Sequence, residues 1–194
     1  LARVEGFPSL TAFISAMRHN RPACPLHAKA VDALTTNETY FFRDFHPFEA
    51  LRQTILPEII ERRTAARQLT IWCAACSTGQ IEVNRGLPAS YLVKYFTQEN
   101  GAWFIKPEIR KMVSFRPMNL IEPWPILPAC DLIFIRNVMI YFDVESKRTI
   151  LKKLRNCLRP QGSLFLGSSE TTLNLDPQWA PVTIGSTVVY RAAA

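Results

Sequence analysis

Residues 132–135 (Leu-Ile-Phe-Ile) form an unbroken apolar run inside the stretch CDLIFIRNVMIYFD, residues 130–143. A strand with one wet face alternates apolar and polar residues. A run without alternation reads as a strand buried on both faces, the kind found in parallel sheets covered by helices. Arg136 and Asn137 follow at once. They place a charged fork and an amide at the carboxyl end of a buried strand, where open α/β sheets bind their ligands. Tyr141 adds a hydroxyl to an otherwise apolar turn, and Asp143 is suited to N-cap the next helix. Any one of these polar residues is explained by satisfying loose backbone groups at the strand end. Three together shift the balance towards a site.

The rest of the chain supplies the expected neighbours of such a strand. Residues 71–76 (IWCAAC) read as a second buried strand, and Ser77-Thr78-Gly79-Gln80 as a small-residue loop that lets a ligand approach the backbone. Residues 162–167 (GSLFLG) read as a third, with Glu170 in the tail behind it. Two hairpins are expected, one in residues 94–106 around Asn100-Gly101 and one in residues 182–190 around Gly185-Ser186. Residues 112–115 are a further strand candidate, after which Asn119 faces the same crevice as Asn137 or caps a turn. Helical spacing marks residues 8–18, 26–34 and 46–63, the last with Pro57 as a kink. The aromatic stretch Tyr40-Phe41-Phe42 reads as a pinned loop, with Arg43 paired to Asp44 or a nearby carboxylate.

A basic amphipathic helix carries Lys147, Arg148, Lys152, Lys153, Arg155 and Arg159 opposite Ile150, Leu151, Leu154 and Leu158. It reads as a solvated face, with a docking patch as the alternative. The net charge of +7 favours anionic partners, but it is dispersed rather than gathered into a nucleic-acid platform. Five cysteines at irregular spacing argue against a disulfide framework and fit a reducing cytosol. Trp72-Cys73-Ala74-Ala75-Cys76 also matches a redox WCxxC. That chemistry needs the first cysteine at a helix start, whereas Cys73 lies within the apolar run, so both thiols read as buried small hydrophobes. No second cysteine pair or histidine cluster suggests a metal. No apolar run is long enough to span a bilayer.

Several stretches together resemble the chemotaxis receptor methyltransferases, the CheR family. They are TTNETYFFRD at 35–44, IWCAACSTGQ at 71–80, FRPMNL at 115–120, CDLIFIRNVMIYFD at 130–143 and LRPQGSLFLGSSE at 158–170, in the family's order. The resemblance implies an α/β fold: a Rossmann-like class I methyltransferase sheet with helices on both faces, a small β-subdomain at residues 94–111, and a partial helical N-terminal domain. The implied domains are residues 1–34 for the helical remnant and 35–194 for the methyltransferase. The implied activity is transfer of a methyl group from S-adenosylmethionine, leaving S-adenosylhomocysteine, to glutamate side chains of methyl-accepting chemotaxis receptors. Partners would be the acidic helical region of a receptor and, in some members, its C-terminal tail peptide; nucleic acid and membrane insertion are not expected. The setting would be the cytoplasm, at membrane receptor clusters. By motif position, Asn37, Thr39, Arg43, Asn119, Leu120, Arg136 and Asn137 look like cofactor contacts. Tyr141, with Arg43, looks like the catalytic position beside the transferred methyl.

The chain departs from the family pattern in one place. After Gln80 the family continues through a helix and a second strand, whereas here Ile81-Glu82-Val83 resembles sequence from further downstream. A βαβ unit takes roughly 30 residues or more, and such a unit is absent between 80 and 81. This leaves an alternative open: a non-catalytic CheR-like module that binds a receptor or a signalling partner.

Overall fold

A computed structural model describes residues 1–19, 24–34, 41–74 and 86–193 of the chain. It divides into two units, Leu1–Thr39 and Tyr40–Ala194. The first holds α1 (Leu10–His19) and α2 (Pro25–Leu34). There Phe7 packs edge-on against Phe13, and Lys29 Nζ donates to both carboxylate oxygens of Glu5 at 2.8 Å.

In the second unit the helical stretch after residue 45 is α3 (His46–Ala50), a π-helical turn (Leu51–Ile55) and α4 (Leu56–Arg62). Pro57 explains the π turn. It has no N–H to give an α-helical bond, so the wider register takes up the irregularity just before it, where the Leu56 N–H donates to the Leu51 carbonyl. Next come β1 (Ile71–Ala74), α5 (Ala89–Tyr95), β2 (Phe96–Glu99), β3 (Ala102–Ile105) and α6 (Pro107–Arg110). The apolar run is β4 (Cys130–Ile135), followed by a 3-10 turn (Met139–Tyr141), α7 (Val144–Cys157), β5 (Leu158–Leu166), β6 (Trp179–Ile184) and β7 (Thr187–Ala192).

The main sheet has the order β1-β4-β5-β7-β6; β1, β4 and β5 run parallel, and β7 and β6 extend them antiparallel. The pleat sorts the side chains. Ile133 and Ile135 of β4 and Leu164 and Leu166 of β5 meet Ile150, Leu151 and Leu154 of α7. On the other face Leu132 and Phe165 meet Ile55 and Ile59 of the earlier helix, and Phe134 stacks on Phe165 at 4.5 Å. The sheet is thus covered by a helix on each face, as an α/β fold requires. Each fully buried Leu or Ile contributes about 1.5–3 kcal/mol, so β4, with Leu132, Ile133 and Ile135 at 0 % exposure, anchors the sheet.

Two strand expectations need correction. Over its described residues, Ile71–Ala74, β1 is not buried on both faces: Ile71 and Cys73 are exposed, and Ala74 alone of these is buried. It stands at the edge of the described sheet and pairs with β4 on one side. Cys73 is therefore no buried hydrophobe, and Cys76 lies outside the described residues. Residues 112–115 form no strand, and Met112, Val113 and Phe115 are exposed. A run of β-prone residues becomes a strand only with a partner, and these pair with none of the described strands. The hairpin around Asn100-Gly101 is present as β2–β3, and that around Gly185-Ser186 as β6–β7.

Candidate functional site

β4 and β5 are parallel neighbours, so their carboxyl ends and the loops behind them lie side by side. The Glu170 carboxylate joins them. One oxygen accepts the N–H groups of Asn137 (2.9 Å) and Gly167 (2.6 Å); the other accepts those of Val138 (2.9 Å) and Ile140 (3.2 Å). Asn137 has a left-handed backbone (φ 59°), a conformation asparagine tolerates better than most residues. The short turn Met139–Tyr141 thus hangs from one carboxylate. Glu170 bonds locally, to the Gly167 N–H, and also fixes a loop 33 residues away. Its position just past a strand parallel to β4 is the signal that points to this role.

Arg136 turns its guanidinium to the segment before α3. One terminal nitrogen donates to the Arg43 carbonyl at 2.9 Å and the other to Asp44 Oδ2 at 2.6 Å, and the group lies 5.7 Å from the centre of the Phe48 ring. Asp44 is therefore a carboxylate partner of Arg136. Phe42 pins the same segment between Phe48 (5.2 Å) and Tyr91 (5.6 Å). Arg136 Nε is buried and has no hydrogen-bond partner among the described residues.

Asn119 makes a local turn, its Oδ1 accepting the Ile121 N–H at 3.0 Å. Leu120 packs against the cluster under α7. That loop is held from α7: Lys153 Nζ reaches the carbonyls of Leu120, Ile121 and Glu122 at 2.7–3.2 Å and lies over Trp124, which meets Trp72 edge-on. The basic helix is thus more than a solvated face. Arg155 pairs with Asp176, and Arg148 with Glu145. Asp143 caps the helix as expected, its Oδ1 accepting the Ser146 N–H at 2.7 Å, and that bond holds its carboxyl below the usual value of 3.8.

Of the expected site residues, the structure places Arg136 against the Arg43 backbone and Asn137 and Tyr141 on the loop that Glu170 holds. Among the described residues Asn119, Asn137 and Tyr141 do not hydrogen-bond one another, and Tyr141 is exposed. Asn37 and Thr39 lie outside the described residues, as does the loop after β1. A cavity of about 240 Å³ opens beside Arg136, Gly167 and Glu170; neither Asn137, Asn119 nor Tyr141 lines it. The unpartnered Arg136 N–H and the side-chain amide of Asn137 suit a ligand with a carboxylate and hydroxyls. That description fits the expected S-adenosylmethionine.

Comparison with known proteins agrees. The family described as "CheR methyltransferase, SAM binding domain" matches residues 37–83 and 80–188. "Chemotaxis protein methyltransferase 1" of Pseudomonas aeruginosa is 34% identical over 239 residues, covering 99% of this chain and 86% of that protein. "Chemotaxis protein methyltransferase Cher2" of Pseudomonas putida is 31% identical over the same shares. "Chemotaxis protein methyltransferase" of Vibrio anguillarum is 30% identical over 86% of this chain and 76% of that protein. The chain belongs to the CheR methyltransferase family, and S-adenosylmethionine is its methyl donor.

Proposed function

We propose that the chain transfers the methyl group to glutamate side chains of chemoreceptors, in the cytoplasm, at membrane receptor clusters. The observation that carries this reading is the family match over 37–83 and 80–188. The polar carboxyl end of β4, with its unpartnered Arg136 N–H, supports it. S-adenosylmethionine supplies a methyl group bound to positively charged sulfur. A glutamate side chain, with an ordinary pKa of about 4.3, is already ionised near neutral pH and needs no base. The sequence agrees, since no histidine follows His46. The chain's own task is then to align donor and acceptor and exclude water, which can supply on the order of 7–11 kcal/mol. In this reading Arg43 pairs with the cofactor's carboxylate. Arg136, Asn137, Asn119 and Leu120 bound the cofactor, with Asn37 and Thr39, and Tyr141 orients the incoming oxygen. The β2–β3 hairpin, paired with no other described strand, is where a receptor tail peptide would add. In the first unit Arg18 is a candidate contact for an acidic receptor helix; Lys29 is already engaged by Glu5.

A second reading, a non-catalytic module that binds a receptor, is favoured by one observation. The alignment with the P. aeruginosa protein spans 239 residues against 194 in this whole chain, so at least 45 of its positions have no residue here. The two family matches meet at residues 80–83. Calorimetry with S-adenosylhomocysteine, alongside methyl transfer to a receptor cytoplasmic fragment, separates the readings. The enzyme reading expects saturable uptake, weakened by Arg43→Ala, and an alkali-labile methyl ester on the receptor. Receptor binding without cofactor uptake would establish the second reading instead.

A further inference from the structure

At the opposite end of the parallel strands, where β4 begins, a second cavity of about 200 Å³ lies between α4 and residues 159–162 of β5. Its floor is Asp131, only 4 % exposed. One oxygen of that carboxylate accepts the Thr70 N–H at 2.9 Å; the other lies 3.5 Å from Arg63 Nε and 3.7 Å from Arg159 Nε. Arg62 forms a third side, donating to the carbonyl and side-chain oxygens of Gln161 at 3.1 and 2.7 Å.

Three guanidinium groups thus line a cavity with a single carboxylate, two of them beside it, and no other acidic residue lines the cavity. Two positive charges are left over. The donors are also left over. Among the described residues Arg159 Nε is buried without a hydrogen bond, and the terminal nitrogens of Arg63 and Arg159 donate to no protein acceptor. A structural ion pair does not need this surplus, and crowding like charges costs free energy unless an anion sits among them. Planar guanidinium forks match phosphate oxygens in geometry, and a doubly charged phosphoryl group matches the excess charge.

We propose that this cavity is an anion site, built by Arg62, Arg63 and Arg159 over Asp131, that takes the phosphoryl group of a small phosphorylated molecule. It lies at the far end of the sheet from Arg136 and Asn137, so it stands apart from the methyl-transfer reading. The pit admits a phosphoryl or diphosphate group end-on. Ile59 and Pro160 give it apolar walls.

The test is calorimetry of the full chain with sodium pyrophosphate in dilute chloride buffer. Saturable binding at one site per chain is expected. Arg159→Gln should weaken it at least tenfold, while Lys152→Gln, at an exposed position on α7 outside the cavity, leaves it unchanged. If Arg159→Gln fails the fold check by circular dichroism, Arg62→Gln decides, since its protein partners are Gln161 and a backbone carbonyl. A nucleoside diphosphate run in parallel distinguishes the source of the group: tighter binding than pyrophosphate assigns a nucleotide, equal binding a free phosphate. Absence of saturable heat overturns the proposal. Equal weakening by Arg159→Gln and Lys152→Gln does so too, because it reduces the effect to general attraction by a basic chain.

Discussion

Glu170 Oε2 and the backbone N–H of Asn137 lie 2.9 Å apart, across the carboxyl ends of two parallel strands. With Gly167, Val138 and Ile140 on the same carboxylate, this is one anion satisfying four backbone donors. Such bonds to a charged acceptor are worth about 1.5–3 kcal/mol each when single, less when they share an acceptor. Glu170→Gln keeps one oxygen but turns an amide donor towards N–H groups. Urea denaturation should show a loss of roughly 2–4 kcal/mol. A loss under half a kcal/mol would mean the turn is held elsewhere.

Gly167→Ala tests the same junction from the strand side. A Cβ there would lie 2.8 Å from the Asn137 nitrogen and from Glu170 Oε2, and 2.9 Å from Asn137 Nδ2. Backbone stands on one side and a fully engaged carboxylate on the other, so neither yields cheaply. The variant should lose roughly 1–3 kcal/mol of stability, and cofactor binding should weaken if Asn137 contributes to it. Wild-type stability would show that the loop yields freely.

The sequence declares β4 because burial on both faces leaves no position for a polar residue from Leu132 to Ile135, and the alternating contacts of these four residues bear this out. It declares the Asp143 cap because that bond spans three residues. Glu170 and the Arg136–Asp44 pair were not legible. Their partners lie 33 and 92 residues away, and adjacency of strands, not local pattern, brings them together. The stretch IWCAAC misleads for a related reason. Its composition is that of a central strand, but its burial depends on what lies on the side away from β4.

Tyr141 is 56 % exposed, on the turn that Glu170 suspends. Removing an exposed hydroxyl should change stability by less than about 0.5 kcal/mol. If that hydroxyl orients the incoming oxygen, Tyr141→Phe lowers kcat by roughly tenfold or more and leaves cofactor affinity nearly unchanged. Radiolabel transfer to a receptor fragment, with calorimetry for the cofactor, reads both. Unchanged turnover removes Tyr141 from the mechanism.

The Asp143 carboxyl is held below its usual 3.8 by the Ser146 N–H. A group whose pKa is depressed by folding contributes stability above its unfolded value and loses it as pH falls through the folded one. Asn at this position still caps the helix but does not titrate. The stability difference between wild type and Asp143→Asn should therefore be constant above about pH 5, and the charge-dependent part should vanish in strong acid. Denaturation midpoints measured from pH 6 to pH 2 check this; a difference that grows in acid has the wrong sign.

Arg136 and Asp44 pose the last question, whether the arginine serves the ligand or the fold. Its two terminal nitrogens are spent on the Arg43 carbonyl and on Asp44, while Nε has no partner among the described residues. Lysine carries the same charge but cannot reach two acceptors from a planar fork. Arg136→Lys should then cost roughly 1–3 kcal/mol of stability, and Asp44→Asn less, because Asp44 is 32 % exposed and water screens it. In the double variant the two losses should overlap by about 0.5–1.5 kcal/mol, as for residues in direct contact. The fork of Arg136 then holds the segment before α3 against the end of β4, and its remaining N–H is the part left for a ligand. Strict additivity would mean that the pair does no such holding, and that Arg136 acts on the ligand alone.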